Sequence, residues 1–544
     1  MPIQGPPFFF IGAGEPVPAG SSVDTLGGKA YGLLRLARLG LPVPPSLTLG
    51  TSICREYFAA GGKLPPRLRE DLAQGVSRLE AATGCRFGAV RRPLLVSVRS
   101  GAPVSMPGMM DTILNVGLCE TGLRGLLRAT GNPRQARDCY RRLIRDFCAV
   151  VHGAPTDGFE QLTAQHCTEQ GVSDARELDT AALDDIARES LEVALALTGR
   201  PFPQDPMDQL VAAVEAVFRS WHSDRARAYR KLHAIDDGLG TAVTIQAMVF
   251  GNAGATSGAG VGFTRDPATG EDKLYLDFLF NAQGEDVVSG RRSIRNDTER
   301  LAERLPTVAS ELARVKRVLE DEFRDMQDFE FTVENGRLHL LQVRTGKRTA
   351  WAALKIATDM VRERRITPAE ALERLDGLPL ERLERRRLAL PANGPPLARA
   401  VPAGGGVVTG AVAFEAARVA ALVSQGRTAI LVRPDISAAD VEGIAKAEGV
   451  LTAVGSRTAH AAVVARNLDK VCLVGCAALT VEPEARRGRI GGQPLAEGDE
   501  LTLDGEAGCV YRGRLPVITE RPDAELAELA RWRALGHAPI LTAV

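Results

Sequence analysis

Helical and strand-like patterns of hydrophobic residues alternate along the chain and predict a mixed α/β protein with several domains. Leucines recur at helical spacing from Leu33 to Leu41, and a second apolar stripe runs from Leu210 to Trp221. Asp205 and Pro206 supply the N-cap and first-turn signals of that second helix. Continuous apolar runs such as PFFFIGA (7–13), LLVSV and TAVTIQAMVF are typical of buried strands.

One stretch near the C-terminal end predicts a parallel crossover. The apolar run EGVLTA precedes a polar turn, then the alanine-rich segment AHAAVVARNL, then a second apolar run, VCLVG. His460 falls at the predicted start of the helix. A helix N-terminus favours anions and a neutral imidazole, which can act as a nucleophile that accepts a phosphate. A capping or packing histidine is the alternative at this position.

Composition narrows the classes of partner. The 544 residues include 67 Lys+Arg and 67 Asp+Glu, so the net charge is zero and gives no support for a nucleic-acid partner or a polybasic membrane surface. No apolar run reaches membrane-spanning length. The nine cysteines form no metal or disulfide framework, which favours reduced thiols and a cytoplasmic protein. Cys472 and Cys476 are expected in a core.

Two loops in the first third of the chain carry candidate ligand-binding residues. Gly27, Gly28 and Lys29 form a predicted turn that opens a helix, and such a turn can hold a phosphate. Arg99 is predicted to close the LLVSV strand, and the Met-rich loop that follows, with Met110, is a candidate ligand lid. The alternatives are a solvated lysine and an ordinary connecting loop.

A glycine-rich stretch follows the TAVTIQAMVF strand. Residues Ser257, Gly258, Ala259 and Gly260 are predicted to form a turn whose bare backbone N–H groups can lie over a polyphosphate. A flexible hairpin tip is the alternative.

The segment DMQDFEFTVENGRLHLLQVRTGKRT predicts a hairpin around Asn335-Gly336. Asp328 and Glu330 share one strand face, and Gln342 and Arg344 share one face of the return strand. A two-residue turn would set Gln342 opposite Phe329. We therefore predict a three-residue turn (334–336), which sets Asp328 opposite Gln342 and collects all four polar groups on one surface. Paired carboxylates beside phosphates are typical magnesium ligands. A solvated hairpin face is the alternative.

Two basic runs are expected on solvated faces rather than at phosphate sites. The first comprises Arg225, Arg227 and Arg230, and the second comprises Arg385, Arg386 and Arg387.

GGKAYGLLRLARLGLPVPPSLTL (27–49), LLVSVRSGAPVSMPGMMDTILNVGL (94–118) and the later stretches together resemble the nucleotide-binding part of the pyruvate, phosphate dikinase family of PEP-utilising enzymes. The resemblance runs collinearly from about residue 23 to about residue 515. It implies ATP-grasp-type lobes that bind ATP and Mg²⁺, with Asp328 and Glu330 as metal ligands. It implies nucleotide contacts for the remaining candidates, which are Lys29, Arg99, Met110, Ser257, Gly258, Gly260, Gln342 and Arg344. At Ala259 the family pattern has threonine.

The segment TAHAAVVAR is similar to the family's phosphohistidine segment, which assigns His460 as the phosphorylated residue. Two neighbours are possible modulating residues. Arg457 departs from the Gly-Gly-Met that usually precedes the segment, and Thr458 matches a threonine that plant enzymes phosphorylate.

The resemblance divides the chain into six expected segments. These are a first ATP-grasp-like lobe (1–132), a helical insert (133–200), a second lobe (201–350), a helical linker with a Pro/Gly hinge (351–402), a swivelling phosphohistidine domain of β/α/β type (403–515) and a helical tail (516–544). The family continues into a barrel that binds pyruvate or phosphoenolpyruvate, and the residues after 515 do not supply it.

The expected activity follows from these domains. ATP, with Mg²⁺ and inorganic phosphate, would phosphorylate His460 and release AMP and pyrophosphate, and transfer to pyruvate would need a barrel on another chain. Two alternatives stay open, a dikinase with a different acceptor and a non-catalytic ATP-binding regulatory scaffold. No nucleic-acid or membrane partner is expected, and a homo-oligomer is left open.

Overall fold

The structure, a computed structural model, describes residues 8–12, 14–104, 106, 109–172, 175, 177–288, 295–389, 394–436, 440–455, 460–483 and 485–536. The chain divides into two compact units. The first comprises residues 1–255 and 338–344, and the second comprises residues 256–337 and 345–544.

The first unit is a five-stranded antiparallel sheet covered by helices. Its elements are β1 (Phe8–Ile11), α1 (Val23–Arg38), β2 (Ser46–Leu49), α2 (Thr51–Ala59), α3 (Leu68–Thr83), β3 (Arg86–Phe87), β4 (Pro93–Leu94), β5 (Val96–Gly101), β6 (Thr112–Val116), α4 (Glu120–Thr130), α5 (Pro133–His152), α6 (Asp157–Gln170), α7 (Thr180–Thr198), α8 (Pro206–Ser220), α9 (Asp224–Leu232) and β7 (Ala242–Ala247). The sheet order is β1-β2-β7-β5-β6. Alternate strand residues and the apolar stripes of α3, α5 and α8 fill one core.

Local signals explain where several of these helices begin. The Asp205 carboxylate accepts a hydrogen bond from the backbone N–H of Asp208, with Pro206 in the first turn of α8, as predicted. The predicted helical stretch 133–200 forms α5, α6 and α7. Since α5 contributes Cys139, Leu143 and Phe147 to the core of the first unit, it packs against the sheet rather than forming a separate body.

The second unit begins with a sheet in which β8 is a central strand. The elements here are β8 (Gly258–Phe263), β9 (Tyr275–Phe280), α10 (Gly284–Val288), α11 (Arg295–Arg304), α12 (Pro306–Phe323), β10 (Gln327–Glu334), α13 (Ala350–Arg362) and α14 (Pro368–Arg374). The strand β11 (Arg337–Thr345) follows β10 in the chain, and its residues 338–344 belong to the first unit. β8 pairs antiparallel with β10 on one side and with β9 on the other.

The rest of the second unit is an α/β domain and a C-terminal helix. Its elements are β12 (Arg385–Leu388), β13 (Ala398–Arg399), β14 (Val401–Gly404), β15 (Val407–Ala413), α15 (Ala416–Ser424), β16 (Ala429–Arg433), α16 (Val441–Lys446), β17 (Gly449–Thr452), α17 (His460–Asn467), β18 (Val471–Val474), β19 (Leu479–Glu482), β20 (Arg487–Ile490), β21 (Gln493–Ala496), β22 (Glu500–Asp504), β23 (Cys509–Arg512), β24 (Val517–Glu520) and α18 (Asp523–Gly536).

Residues 398–512 form the C-terminal α/β domain, an eight-stranded sheet of order β13-β23-β22-β15-β16-β17-β18-β14. Strands β15 to β18 are parallel, and each is joined to the next by a helix, as the apolar runs predicted. Alternate strand residues fill two cores, one on each face of the sheet. Cys472 and Cys476 are fully buried, and burial raises the pKa of the Cys472 thiol to about 12.

Three expectations about exposed or irregular segments were wrong. The stretch predicted as a Pro/Gly hinge contains β13 and β14, because its alanines and valines pair within the sheet. Arg385 does not lie on a solvated face, since it makes ion pairs with Glu506 and Glu520. Arg230 is also buried, and its guanidinium lies over the Trp221 ring.

Candidate active site

His460 is the first residue of α17, the helix that connects the parallel strands β17 and β18. This confirms the predicted strand, loop, helix and strand order. The free N–H groups of the first helical turn therefore lie at His460, in an arrangement that favours a bound anion. Arg457 and Thr458 lie outside the described residues.

Arg466 lies at the other end of the same helix. It contacts β8, a strand of the predicted second nucleotide-binding lobe (201–350). Its guanidinium is 5.7 Å from the ring centroid of Phe263 on β8, and its Nε donates a hydrogen bond to the Ala403 carbonyl at 3.3 Å. Arg466 is buried. Because Arg466 is six positions after His460, the helix start lies about 9 Å along the axis from this contact.

Asp328 and Glu330 share a sheet face with Phe263, the ring that Arg466 of α17 contacts. Asp328 is directly opposite Phe263, and Glu330 is directly opposite Val261. Directly opposite residues of an antiparallel pair project from the same face. The Phe263 ring next to Arg466 therefore shares a face with both predicted metal ligands.

A second contact joins the same sheet face to the C-terminal α/β domain. Tyr275 is opposite Phe263 on the other side of β8, and its hydroxyl donates a hydrogen bond to the Pro402 carbonyl at 3.1 Å. A Cβ built on Gly405 would lie 3.8 Å from the Cβ of Ala268. The helix of His460 and the segment 402–405 thus both lie against this lobe.

Sequence reasoning missed three residues of this face. Asp277 is opposite Val261, which places a third, buried carboxylate in the row of Glu330. Arg466 and Tyr275 make the two contacts to the helix-bearing domain. The alternation in LYLDFLF could have indicated Asp277, because its only charged residue falls between apolar ones.

The donor chemistry of Asp328 and Glu330 fits magnesium. Asp328 is buried and Glu330 is half-buried, and two carboxylates on one strand face can supply two hard oxygen ligands. Within the part of the chain that the structure describes, no group of three or more histidine, cysteine, aspartate or glutamate side chains forms a protein-only metal site. Magnesium commonly completes its coordination with water and phosphate oxygens.

Lys29 is positioned by a close approach between α1 and the end of β5. Gly27 breaks the helix with φ 71°, and a Cβ there would lie 1.7 Å from the Gly101 carbonyl oxygen, so only glycine fits. The Gly28 N–H donates to the Ala102 carbonyl at 2.9 Å. The predicted turn therefore exists, preceded by a short helical segment, and it holds Lys29 beside the strand that carries Arg99.

The first unit also contains Gln342 and Arg344. A Cβ on Gly32, one helical turn after Lys29, would lie 3.2 Å from Val343, so β11 passes close to α1. Gln342 and Arg344 flank Val343. Arg99 lies inside β5, which continues to Gly101, and it is paired with Thr244 of β7. Within the first unit, Lys29 thus lies beside the end of the strand that carries Arg99, and Val343 lies against the helix that carries Lys29.

The predicted phosphate-covering turn at Ser257, Gly258 and Gly260 was wrong. Gly258 and Gly260 belong to β8 and pair with β9 and β10, so their backbone groups serve the sheet. A Cβ on Gly258 would lie 2.2 Å from the Phe278 ring, and one on Gly260 would lie 2.5 Å from the Phe331 ring. Glycine is needed there because aromatic rings lie across the strand. The Ser257 hydroxyl accepts a hydrogen bond from the Asn335 N–H.

The predicted three-residue hairpin turn was also wrong. β10 continues through Glu334 and β11 begins at Arg337, so the turn contains only Asn335 and Gly336, with φ 50° and 76°. Positive φ at both positions is typical of the type I′ turn that Asn-Gly favours. The three-residue turn is therefore excluded, and the gathering of Asp328, Glu330, Gln342 and Arg344 on one surface stays a prediction.

The Met-rich loop is partly a packing element. Met106 is buried, and Met109 and Met110 pack against the core of the first unit. Ser105, Pro107 and Gly108 lie outside the described residues. The contact of Met110 with a nucleotide stays a prediction, and the contacts described here are those of a half-buried side chain packed on the apolar core.

The α5 helix carries a buried charge network that the sequence did not reveal. Asp138 accepts hydrogen bonds from Arg141, Arg142 and Asn252 at 2.5, 3.0 and 3.2 Å. Burial alone would raise the pKa of Asp138, but the charges of Arg142 and Arg141 outweigh it and lower the pKa well below its usual range. The network fixes the glycine-rich turn of Asn252 against α5.

Two protein families match separate parts of the chain. One, described as the AMP/ATP-binding domain of pyruvate phosphate dikinase, matches residues 61–307. The other, described as the mobile domain of PEP-utilising enzymes, matches residues 426–508. The second match covers α17 and most of the C-terminal α/β domain.

Curated relatives match along nearly the whole chain. The pyruvate, phosphate dikinase of Clostridium symbiosum is 44% identical over 513 residues, which cover 94% of this chain and 58% of that protein. The enzyme of the same name from Rhizobium meliloti is 41% identical over 535 residues, covering 96% and 60%. The chloroplastic enzyme 1 of Arabidopsis thaliana is 42% identical, covering 93% and 53%. The chain spans about 60% of the length of the first two relatives.

No helix among the described residues is both long and apolar enough to cross a membrane.

Proposed function

Because the chain belongs to the pyruvate, phosphate dikinase family of PEP-utilising enzymes, we propose that it is an ATP-dependent phosphotransferase that carries a phosphoryl group on His460. ATP and inorganic phosphate are its proposed substrates, and AMP and pyrophosphate are its products in this half-reaction. Mg²⁺ is the proposed metal.

One observation carries the proposal. Arg466, on the helix that begins at His460, contacts Phe263, which shares a sheet face with Asp328 and Glu330. A nucleophile at a helix start and a pair of carboxylates suited to magnesium are the two components that phosphoryl transfer to a protein side chain needs.

The proposed chemistry has two balanced steps. His460 attacks the β-phosphorus of ATP, the bond from that phosphorus to the α–β bridging oxygen breaks, and AMP leaves. An oxygen of inorganic phosphate then attacks the γ-phosphorus, and pyrophosphate leaves while the β-phosphoryl group stays on the histidine. The imidazole must be neutral to attack, which the positive end of a helix favours.

The protein's own groups bind and orient these phosphates. Lys29, Arg99 and Arg344 offset their negative charge, and Gln342 supplies an amide to orient the nucleotide. Asp328 and Glu330 would hold a magnesium ion, which when bound neutralises charge on the phosphate oxygens. Ser257, Gly258 and Gly260 have no part in this proposal because their backbone groups belong to β8 or its end.

The final acceptor is proposed from the family alone. Pyruvate is the acceptor implied by the relatives' names, and it would take the phosphoryl group at a pyruvate-binding barrel. The chain spans about 60% of the length of that relative. The complete reaction, with transfer to pyruvate, is therefore proposed from the relatives' names.

Labelled ATP tests the half-reaction directly. The purified chain is incubated with Mg²⁺, inorganic phosphate and ATP labelled at the β- or γ-phosphorus, and acid-labile label on the protein is measured together with AMP. We expect label from β-labelled ATP to remain on the protein and label from γ-labelled ATP to leave as pyrophosphate. His460→Asn should abolish both label and AMP, whereas His233→Asn, at an exposed histidine, should leave them unchanged.

Two results would refute the proposal. An unlabelled wild-type chain that still binds ATP would favour the ATP-binding scaffold, and label retained by His460→Asn would reject His460 as the nucleophile.

A further inference from the structure

The chain crosses into and out of the C-terminal α/β domain through one two-stranded ribbon. β12 precedes the domain and β24 follows it, and the two pair antiparallel from Arg385 opposite Glu520 to Leu388 opposite Val517. Two paired strands resist bending and twisting more than a single extended linker does. A reorientation of the domain relative to α13 and α18 would therefore have to bend or twist this ribbon or its connections.

Both strands of the ribbon are anchored to the same part of the second unit. Leu380 and Leu383, just before β12, and Leu529 and Trp532 of α18, after β24, belong to one hydrophobic cluster with α13 and α14. Arg362 of α13 also forms an ion pair with Glu528 of α18 at 2.6 Å. The outer ends of the ribbon are thus fixed.

Arg385 is the residue of the ribbon with contacts to three separate elements. Its Nη1 lies 2.9 Å from Glu506 and its Nη2 lies 2.9 Å from Glu520. Its guanidinium lies over the Trp351 ring of α13, 4.3 Å from the centroid. The side chain is only 19% exposed, so these interactions are partly shielded from solvent.

These partners lie on opposite sides of the pivot. Glu506 belongs to the turn between β22 and β23, inside the C-terminal α/β domain, while Trp351 belongs to the anchored part. Rotation of the domain about the ribbon moves Glu506 relative to Trp351. Arg385 cannot then keep both contacts, so the pair favours the orientation seen here.

We propose that Arg385 is a positioning residue, a pivot clamp that holds the C-terminal α/β domain in the orientation in which Arg466 of α17 contacts Phe263. Its link to catalysis rests on the proposed function, since this is the orientation in which His460 would be loaded. The clamp itself is independent of any chemistry at His460.

A disulfide reporter measures the clamp without catalysis. The built Cβ of Gly405 lies 3.8 Å from the Cβ of Ala268, a separation typical of disulfides. The double variant Ala268→Cys, Gly405→Cys should therefore cross-link rapidly under mild oxidation when the domain lies in this orientation. The initial rate of cross-linking reports the fraction of molecules in it.

Arg385→Met keeps the apolar stem over Trp351 and removes the charge. In the reporter background we expect it to slow cross-linking about five- to tenfold, since it removes two charge-assisted contacts and a cation–π contact. Arg386→Met, at the exposed neighbouring arginine of the same strand, should change the rate less than about twofold. Glu506→Gln should also slow cross-linking. Combining it with Arg385→Met should slow cross-linking little beyond Arg385→Met alone, because Glu506 acts through its ion pair with Arg385.

The clamp is overturned if Arg385→Met cross-links at the parent rate, if Arg386→Met slows it equally, or if the effects of Arg385→Met and Glu506→Gln multiply. Labelling then separates the clamp from the proposed function. Arg385→Met should slow labelling of His460 by a similar factor without changing the KM for ATP. If the wild-type chain is never labelled, the proposed function fails, and cross-linking still decides whether the clamp exists.

Discussion

Two arginine–carboxylate networks in this molecule have similar chemistry and different consequences. Asp138 with Arg141 and Arg142 lies inside the first unit, with all three side chains about nine-tenths buried. Arg385 with Glu506 lies at the pivot of the second unit, and both side chains are about one-fifth exposed. The first network connects neighbouring turns of one helix, whereas the second connects two parts of the chain that are proposed to reorient relative to each other.

The difference separates stability from positioning. The charged side chains of a buried network cannot reach water when a partner is lost. Removing one partner therefore leaves a buried charge without a counter-ion and lowers the free energy of unfolding. A partly exposed network can exchange its contacts for water, so breaking it costs little stability but changes which orientation is populated. The following measurements test that distinction.

The largest expected effect is at Asp138. Asp138→Asn should lower the free energy of unfolding by about 3–5 kcal/mol, because Arg141 and Arg142 would remain buried without their counter-ion. Urea denaturation followed by circular dichroism measures it. Since the pKa of Asp138 is lowered in the fold, its contribution is present above the usual aspartate range near 4 and is lost as the pH falls below it. The control is Asp184→Asn. Asp184 is an exposed residue of α7 that forms an ion pair with Arg137, which lies on the same helix as Asp138.

A second buried pair tests whether burial or location decides the cost. Arg265 and Glu320 are fully buried in the second unit and form two hydrogen bonds of 3.1 Å. Glu320→Gln should cost about 2–3 kcal/mol, less than the Asp138 change, because Glu363 still accepts from Arg265 at 2.7 Å. A cost below that of Arg385→Met would contradict the role given to burial.

At the pivot, the stability change should be small. Arg385→Met should lower the free energy of unfolding by less than about 1 kcal/mol, because its ion pairs are partly exposed and its stem still covers Trp351. The same denaturation experiment applies. A loss as large as that of Asp138→Asn would make Arg385 a structural residue rather than a clamp.

The smallest effect is a pH dependence of the cross-linking rate. Burial raises the pKa of Glu506, and although Arg385 and Arg387 oppose this, Asp504 and Glu520 reinforce it. Hydrogen bonding from Arg385 lowers the pKa of Glu520, which stays ionised. Glu506 therefore takes up its proton at a higher pH than an ordinary glutamate. Acidification should weaken the ion pair between Arg385 and Glu506 before the one between Arg385 and Glu520. The ratio of the parent rate to the Glu506→Gln rate should fall toward one as the pH is lowered, and a constant ratio would exclude Glu506.

Local patterns predicted much of this fold, and long-range contacts account for what they missed. The start of α17 at His460 and the cap at Asp205 depend on nearby residues, so the sequence could indicate them. The glycines of β8 were misassigned because their need for space comes from rings on β9 and β10. Arg385 was misassigned because Glu506 and Glu520 are more than 100 residues away.

The candidate site divides in the same way. Residue types and spacing indicated Asp328, Glu330 and His460 as candidates, and the family resemblance favoured their functional roles. Neither indicated that Arg466, on the helix of His460, contacts Phe263 on their sheet face. The predicted three-residue turn was wrong for a local reason, because the Asn335-Gly336 pair favours a two-residue turn with positive φ at both positions.

The central claim is that the orientation described here is the one in which His460 is loaded. The most direct test is the rate at which β-labelled ATP labels the Ala268→Cys, Gly405→Cys protein before and after oxidation. The oxidised, cross-linked protein should be labelled at least as fast as the reduced one. Labelling of the reduced protein together with none of the cross-linked protein would contradict it.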